Sequence, residues 1–292
     1  FDQTVWQIRE EKQVSLSRLC RMFGVSRQAI YQARSRWVSR SEQLSQIKPL
    51  VLDLRMRMPR IGTRKLYYLL KAEFRERGIK IGRDAFFDYL RSETLLVRPK
   101  KSYLKTTHSK HWMRKYPNLL EGRIFTRPEE AFVSDITYLN TRDGTHYLSL
   151  VTDAYSRKIM GYHLSDNMAT EQVIQALEMA IRNRQTTHPL IHHSDRGLQY
   201  CSATYQQLLR SHKITPSMTQ GYDCYQNALA ERINGILKQE FLIYRCNTKQ
   251  ELKTLIDQSV QSYNQERPHC SLRMKTPNYV HHNTCEESST GV

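Results

Sequence analysis

The chain has 292 residues, 39% of them hydrophobic, and carries 45 Lys plus Arg against 28 Asp plus Glu, a net charge of +17. That length accommodates one or two substantial cores with small modules beside them, and with no run approaching 18 consecutive apolar residues a membrane span is not expected. The charge is unevenly placed: residues 1–118 hold 27 Lys plus Arg against 10 Asp plus Glu, whereas residues 119–292 hold 18 of each.

A basic excess confined to the first two-fifths suits phosphate contact and counterion release on a polyanion. A merely well-solvated surface, or a ribosomal or membrane-surface protein, carries such charge too. Arg9, Glu10, Glu11 and Lys12 interrupt the first fifteen residues and exclude a signal-peptide apolar core there; the opening Phe1 in place of Met leaves an upstream start open. The six cysteines (Cys20, Cys201, Cys224, Cys246, Cys270, Cys285) form no Cys-x-x-Cys pair, which argues against zinc ligation and a disulfide framework. They read as reduced thiols of a cytoplasmic protein.

From the N-terminus, residues 15–38 are predicted to form a helix-turn-helix. Leu16, Leu19, Cys20 and Phe23 have helical spacing, Gly24 and Val25 make the turn, and Ser26 is placed to cap the next helix. That helix turns Ile30, Ala33 and Trp37 inward, leaving Arg27, Gln28, Tyr31, Gln32, Arg34 and Arg36 for solvent or DNA. Arg and Gln at such a helix start can read guanine and adenine edges; a small bundle without groove contact has the same pattern. A second helical module spans 43–98, with helices over Arg64–Phe74 and Arg83–Arg91, and Arg64, Lys65 and Arg83 are its candidate DNA contacts. Residues 99–127 form a basic linker whose Lys100 and Lys101 suit backbone phosphates.

From 128 the periodicity changes to two. Alternation predicts strands at Ala131–Leu139, Tyr147–Thr152 and Ile159–Leu164, an antiparallel meander with short connections. A helix over Thr170–Asn183, a strand over Leu190–His193, a helix over Ser202–Ser211 and a strand over Ile214–Met218 follow, and a further helix carries Glu231. The order β-β-β-α-β-α-β-α gives an α/β fold, a ribonuclease H-like core over 128–245 with a mixed five-stranded sheet, preceded by all-α modules at 1–42 and 43–98. A C-terminal helix and extension (246–280) and a tail (281–292) complete the chain.

Three acids stand out in that frame: Asp135 mid-strand, Asp195 at a strand end and Glu231 on an amphipathic helix. With Leu229 at 0°, Ile233, Ile236 and Leu237 fall at about 40°, 340° and 80°, while Glu231 and Lys238 fall together at about 200° and 180°. An acid and a cation thus face away from the core. A sheet-based fold gathers oxygen ligands for two Mg²⁺ ions in this way and runs phosphoryl transfer on nucleic acid. All-carboxylate ligation favours hard ions, so Mn²⁺ should substitute.

The segments Leu19-Cys20-Arg21-Met22-Phe23-Gly24-Val25-Ser26-Arg27, Ser134-Asp135-Ile136-Thr137-Tyr138, Asp153-Ala154-Tyr155-Ser156-Arg157, His193-Ser194-Asp195-Arg196-Gly197-Leu198-Gln199-Tyr200, Asn227-Ala228, Leu237-Lys238-Gln239-Glu240 and Tyr263-Asn264-Gln265-Glu266-Arg267-Pro268-His269 occur in one order along nearly the whole chain. In this the chain resembles the OrfB portion of insertion-sequence transposases of the IS-three family, within the DDE transposase and retroviral integrase superfamily. Gln226 departs from the Asp that many relatives carry, and the heptad run of the family's upstream OrfA segment is absent. The resemblance implies an enzyme that binds the terminal inverted repeats of a mobile element, cuts one strand at its ends and joins the 3′-hydroxyl to a second phosphodiester. It implies Asp135, Asp195 and Glu231 as catalytic ligands of two Mg²⁺ ions, Lys238 on a phosphate near the cut, double-stranded DNA as partner, and at least a dimer on DNA.

His192 and His193 beside Asp195 read as strand or supporting residues before they read as ligands, and His108 and His111 lack the Cys pair of a zinc module. Arg157 and Arg196 are open between DNA and nearby carboxylates; Arg267 and His269 are open between DNA and helix packing. A metal-dependent endonuclease of the same fold without strand transfer, or a non-catalytic DNA-binding regulator, remain the alternative functions.

Overall fold

The computed structural model describes residues 2–97, 113–220 and 227–283. They form two compact units: Phe1–Leu54 with Leu66–Leu96, and Arg55–Lys65 with the chain from Val97 onward. Lys100, Lys101, His108, His111, Cys224, Gln226 and Cys285 lie outside the described residues.

The first unit is all helical. Helix α1 (Asp2–Lys12), which the sequence reading did not anticipate, precedes α2 (Leu16–Phe23) and α3 (Arg27–Ser45). Ser15 caps α2 by accepting from Arg18 N–H, and Gly24 ends it at φ 63°, a left-handed closure that glycine takes without steric cost. Ser26 Oγ accepts Ala29 N–H at 3.1 Å and starts α3. Leu16, Leu19, Cys20 and Ile30 are buried together, with Trp6, Val14 and Val25 packed on them. α3 runs on to Ser45, past the expected end at 38. α4 (Ile47–Arg57) and α5 (Thr63–Glu76) follow, then α6 (Arg83–Ser92). Phe74 and Phe86 meet edge-on at 5.7 Å, and Tyr67 O–H donates to Ile81 C=O.

The second unit is built on a five-stranded sheet in the order β3-β2-β1-β4-β5. β1 (Ala131–Asn140), β2 (Thr145–Asp153) and β3 (Ile159–Ser165) are antiparallel neighbours, while β4 (Leu190–Ser194) and β5 (Ile214–Met218) run parallel to β1. This is the ribonuclease H-like arrangement expected from the element order. One face buries Phe132, Val151 and Met160 against α7 (Thr170–Arg182) and α9 (Ala203–Ser211). The other buries Ala131, Val133, Ala154 and Ile191 against Ala230 of α10 (Ala228–Ile236).

Several short pieces were not foreseen: α8 (Leu198–Cys201), a π-helical stretch over Leu237–Phe241, a 3₁₀ turn at Cys270–Leu272 and α12 (Pro277–His282) after α11 (Lys249–Gln265). Cys20, Cys201, Cys246 and Cys270 are free thiols, and no described helix is long and apolar enough to cross a membrane.

Candidate active site

Alternation along β1 decides where Asp135 points. Ala131 and Val133 face the layer that holds Ala230, and a strand repeats every two residues, so Asp135 faces α10 as well. Ser134, on the opposite face, shares a 2.8 Å hydrogen bond with His192 Nε2. β4 is parallel to β1 with Val133 beside His193; continuing that register sets Asp195, just past the strand, beside Asp135. The carboxyl ends of adjacent parallel strands are where open α/β sheets bind ligands. Asp195 Oδ1 accepts Gly197 N–H at 3.0 Å. A Cβ at Gly197 would lie 3.1 Å from that same oxygen, so the turn closes this tightly only with glycine.

Glu231 lies in the first turn of α10. Burial and the charge of Asp195 both push its carboxyl upward. One turn further on, Asn234 Nδ2 donates to Asp135 Oδ2 at 2.8 Å. Asn234 is buried, and its Oδ1 and that of Asn227 have no partner among the described residues. Asp135 is pushed up to about 7, first by burial, then by Asp195, with Glu231 adding and Asn234 opposing. The three carboxylates therefore share one electrostatic neighbourhood. Among the described residues no three of His, Cys, Asp and Glu stand close enough to hold a metal ion, so the acids approach one another without being clamped together.

Lys238 comes from the π-helical stretch, not from a continuous α-helix as the 100° wheel assumed. Its Nζ stands 4.4 Å from the centroid of Tyr138. Burial lowers its proton affinity and Asp135 partly restores it. Asn234 was missed from sequence although it falls three residues after Glu231, on the same side of the helix; only its partner on β1 reveals it.

The neighbouring histidines serve the strands. His192 Nε2 also meets Tyr205 O–H at 3.0 Å, and burial holds its pKa down at about 3, so the ring is neutral. His193 Nδ1 pairs with Ser217 Oγ. Arg196 Nε donates to Thr219 C=O at 2.6 Å, and Arg157 donates to Ala154 C=O. Arg267 forms two hydrogen bonds with Glu240, at 2.8 and 2.7 Å, and a third with His269, which gives both residues a packing role.

Of the DNA candidates, Arg27 and Gln28 are exposed in the first turn of α3. Tyr31 packs on Trp6 at 5.9 Å and the Arg34 guanidinium lies 4.1 Å over the same ring. Arg64 is exposed, and Arg83 pairs with Asp84 on an open surface. The Lys65 side chain is 15% exposed and its Nζ bonds Glu240 at 3.2 Å. Grouped with the second unit, it joins the Glu240–Arg267 network.

Residues 126–224 match the integrase core domain family, and residues 212–277 match a second family of that description. The chain is 34% identical over 264 residues to the insertion element IS600 uncharacterized 31 kDa protein of Shigella sonnei, spanning 89% of this chain and 96% of that protein. It is 31% identical over 237 residues to transposase InsF for insertion sequence IS3A of Escherichia coli strain K12, spanning 80% and 81%. The chain belongs to the IS-three family of DDE transposases. Solved structures similar to this transposase include the HTLV-2 integrase catalytic core domain in complex with magnesium, at TM-score 0.45 and 23% identity over 53% of this chain and 98% of that one. Another is the simian T-cell lymphotropic virus intasome in complex with PP2A regulatory subunit B56 gamma, at TM-score 0.49 and 20% identity over 76% and 74%. Membership, from the sequence matches, makes DNA transposition by polynucleotidyl transfer the activity class.

Proposed function

We propose that this transposase binds the terminal inverted repeats of its element, hydrolyses one strand at each end, and transfers the freed 3′-hydroxyl to another phosphodiester. In the first step water forms a bond to phosphorus and the bond to the 3′-oxygen breaks; in the second that 3′-oxygen attacks and a new 3′-hydroxyl leaves. The observation that carries the reading is the convergence of the three acids: Asp135 faces α10 with Asp195 beside it in the sheet register, and the charge of Asp195 pushes both Asp135 and Glu231 upward. Carboxylates that raise one another's proton affinity fit a divalent cation, and the unpartnered Asn227 and Asn234 oxygens keep the surroundings hard and oxygen-rich. Asp135, Asp195 and Glu231 would hold two Mg²⁺ ions, which supply Lewis-acid stabilisation of the attacking and leaving oxygens.

The chain's own groups do the positioning. Asn234 fixes the Asp135 carboxylate from α10, and the Gly197 N–H fixes Asp195 from below. Lys238, half-buried and close enough to feel Asp135, offers its ammonium to a non-bridging phosphate oxygen. Arg27, Gln28, Tyr31 and Arg34 on α3, with Arg64, Arg83, Lys100 and Lys101, provide end recognition in an assembly of at least two copies, since two ends must be paired. Incubation with precut element ends, Mg²⁺ and a target duplex tests the reading: joined products support it, whereas hydrolysis without joining would reduce the protein to a nuclease.

A further inference from the structure

A cleft of about 520 Å³ opens on the catalytic unit beside the turn from β2 to β3, lined by Arg123, Arg157, Arg273 and Lys275 together with Tyr155 and Ile124. No carboxylate lines it. This is notable in a stretch, residues 119–292, whose basic and acidic residues balance. Gathering one sign of charge in a concave surface focuses its field and draws in counter-ions.

The turn is built to present these cations. Arg157 sits at φ 65° and Arg273 at φ 52°, left-handed conformations that cost a non-glycine residue of order 1–3 kcal/mol and persist where the surroundings impose them. Tyr263 O–H holds the Arg157 carbonyl at 2.9 Å. Arg157 is partly buried, donates to Ala154 C=O and feels the Asp153 carboxylate, whereas Arg123 and Arg273 are exposed. Ile124 is 86% exposed at the rim, an apolar surface of the sort that packs on deoxyribose.

Place matters as much as charge. Ala154 N–H bonds Ala131 C=O at the start of β1, four residues before Asp135, or about 13 Å along a strand. Arg232, the neighbour of Glu231 on α10, acts electrostatically on Arg157. The cleft thus lies on the flank of the helix that carries Glu231.

We infer that this cleft is a second DNA contact, gripping the sugar–phosphate backbone of a duplex a few base steps from the phosphate that reacts. It rests on the transposase reading for the identity of that duplex, and either the element end beyond the cut or the target can supply the backbone. The test uses the full chain with Arg123→Gln and Arg273→Gln combined, both exposed positions, its folding checked by thermal melting. Duplex affinity is titrated against salt in chelator, so that no cleavage chemistry enters. The double variant should lose about two units of log–log salt slope, one per phosphate contact removed. Separate arms with an end duplex and with an unrelated target duplex tell which source fills the cleft; loss in either supports the inference. An unchanged slope in both arms, or a loss seen only with single-stranded RNA or an acidic polypeptide, would overturn it. Joining by the wild-type protein, measured separately with Mg²⁺, reports on the transposase reading whichever way the salt slopes fall.

Discussion

At the scale of single residues, Asp135 is the group whose environment most opposes its charge. Its unfolded carboxyl ionises near 4, whereas in the fold burial and Asp195 raise it to about 7. The stability gained by holding it neutral is fully present below about pH 4 and lost as pH rises to about 7. Metal-free Asp135→Asn should therefore melt above wild type at pH 8 and at the same temperature at pH 4, each kcal/mol relieved being worth roughly 2–4 °C in a domain of this size. Calorimetry of both proteins in chelator checks this; equal melting temperatures at pH 8 would show that the carboxyl ionises without penalty. Asn234→Ala should leave end binding intact and slow joining by about one to two orders of magnitude, because it frees Asp135 without removing a ligand. Asn234→Asp should do worse, since it adds a fourth acid.

Glu240 carries the opposite sign. Burial alone would raise its pKa, but hydrogen bonds from Arg267, then the charges of Arg267 and Lys65, bring it below the usual range. Its contribution is present above the unfolded value near 4.3 and lost as pH falls through the lowered folded value. Glu240→Ala leaves the 3% exposed Arg267 side chain uncompensated and should cost about 3–5 kcal/mol, read as a shifted urea midpoint at pH 7. A cost under about 1 kcal/mol would mean the network is solvated.

Among secondary elements, the strands were legible as short runs rich in β-branched and aromatic residues between turn signals, although β1 is covered on both faces and buries Phe132, Val133 and Ser134 in succession where a half-buried strand would alternate. α2 and α3 were legible through the apolar spacing of Leu16, Leu19 and Cys20, the turn at Gly24 and the cap Ser26. α1 was not, since Asp2–Lys12 is polar overall and owes its place to Trp6 against Tyr31 and Arg34. The π-helical turn at Leu237–Phe241 was also invisible: its residues fit an α-helix equally well, and only tertiary packing of Leu237 and Phe241, both buried, selects the wider turn. α12 does carry a written signal, Thr276 as cap with Pro277 after it. Of the candidate site, the acids and Lys238 were proposable from sequence, but the hydrogen bond from Asn234 to Asp135 and the ion pair of Lys65 with Glu240 were not, because each depends on a partner far away in the chain. Gly161 gives the element-scale test. A Cβ there would stand 2.1 Å from Ala176 C=O and 2.6 Å from Ala180 N, so α7 lies directly on the backbone of β3. Gly161→Ala should destabilise by roughly 1–3 kcal/mol or more, measured by denaturant unfolding; a neutral result would mean the helix can withdraw cheaply.

Over the whole molecule, charge and chemistry are unevenly divided: the basic excess lies in residues 1–118, and the three acids lie in the balanced remainder. The division is not a clean cut in the chain, because residues 55–65 belong with the catalytic unit. Arg60 N–H donates to Glu240 C=O, Arg57 pairs with Glu266, and Lys65 pairs with Glu240. A fragment beginning at residue 113 should accordingly melt below the full chain. Adding back a peptide of residues 55–65 should recover part of the loss, and a fragment as stable as the full chain would show these bonds to be incidental. The most direct measurement is single-turnover joining of precut ends with Mg²⁺ by Asp135→Asn, Asp195→Asn and Glu231→Gln, each swap keeping shape while removing one charge. Every variant should lose joining while still binding the ends; a variant that joined at near wild-type rate would take that residue out of the metal site and contradict the three-acid centre.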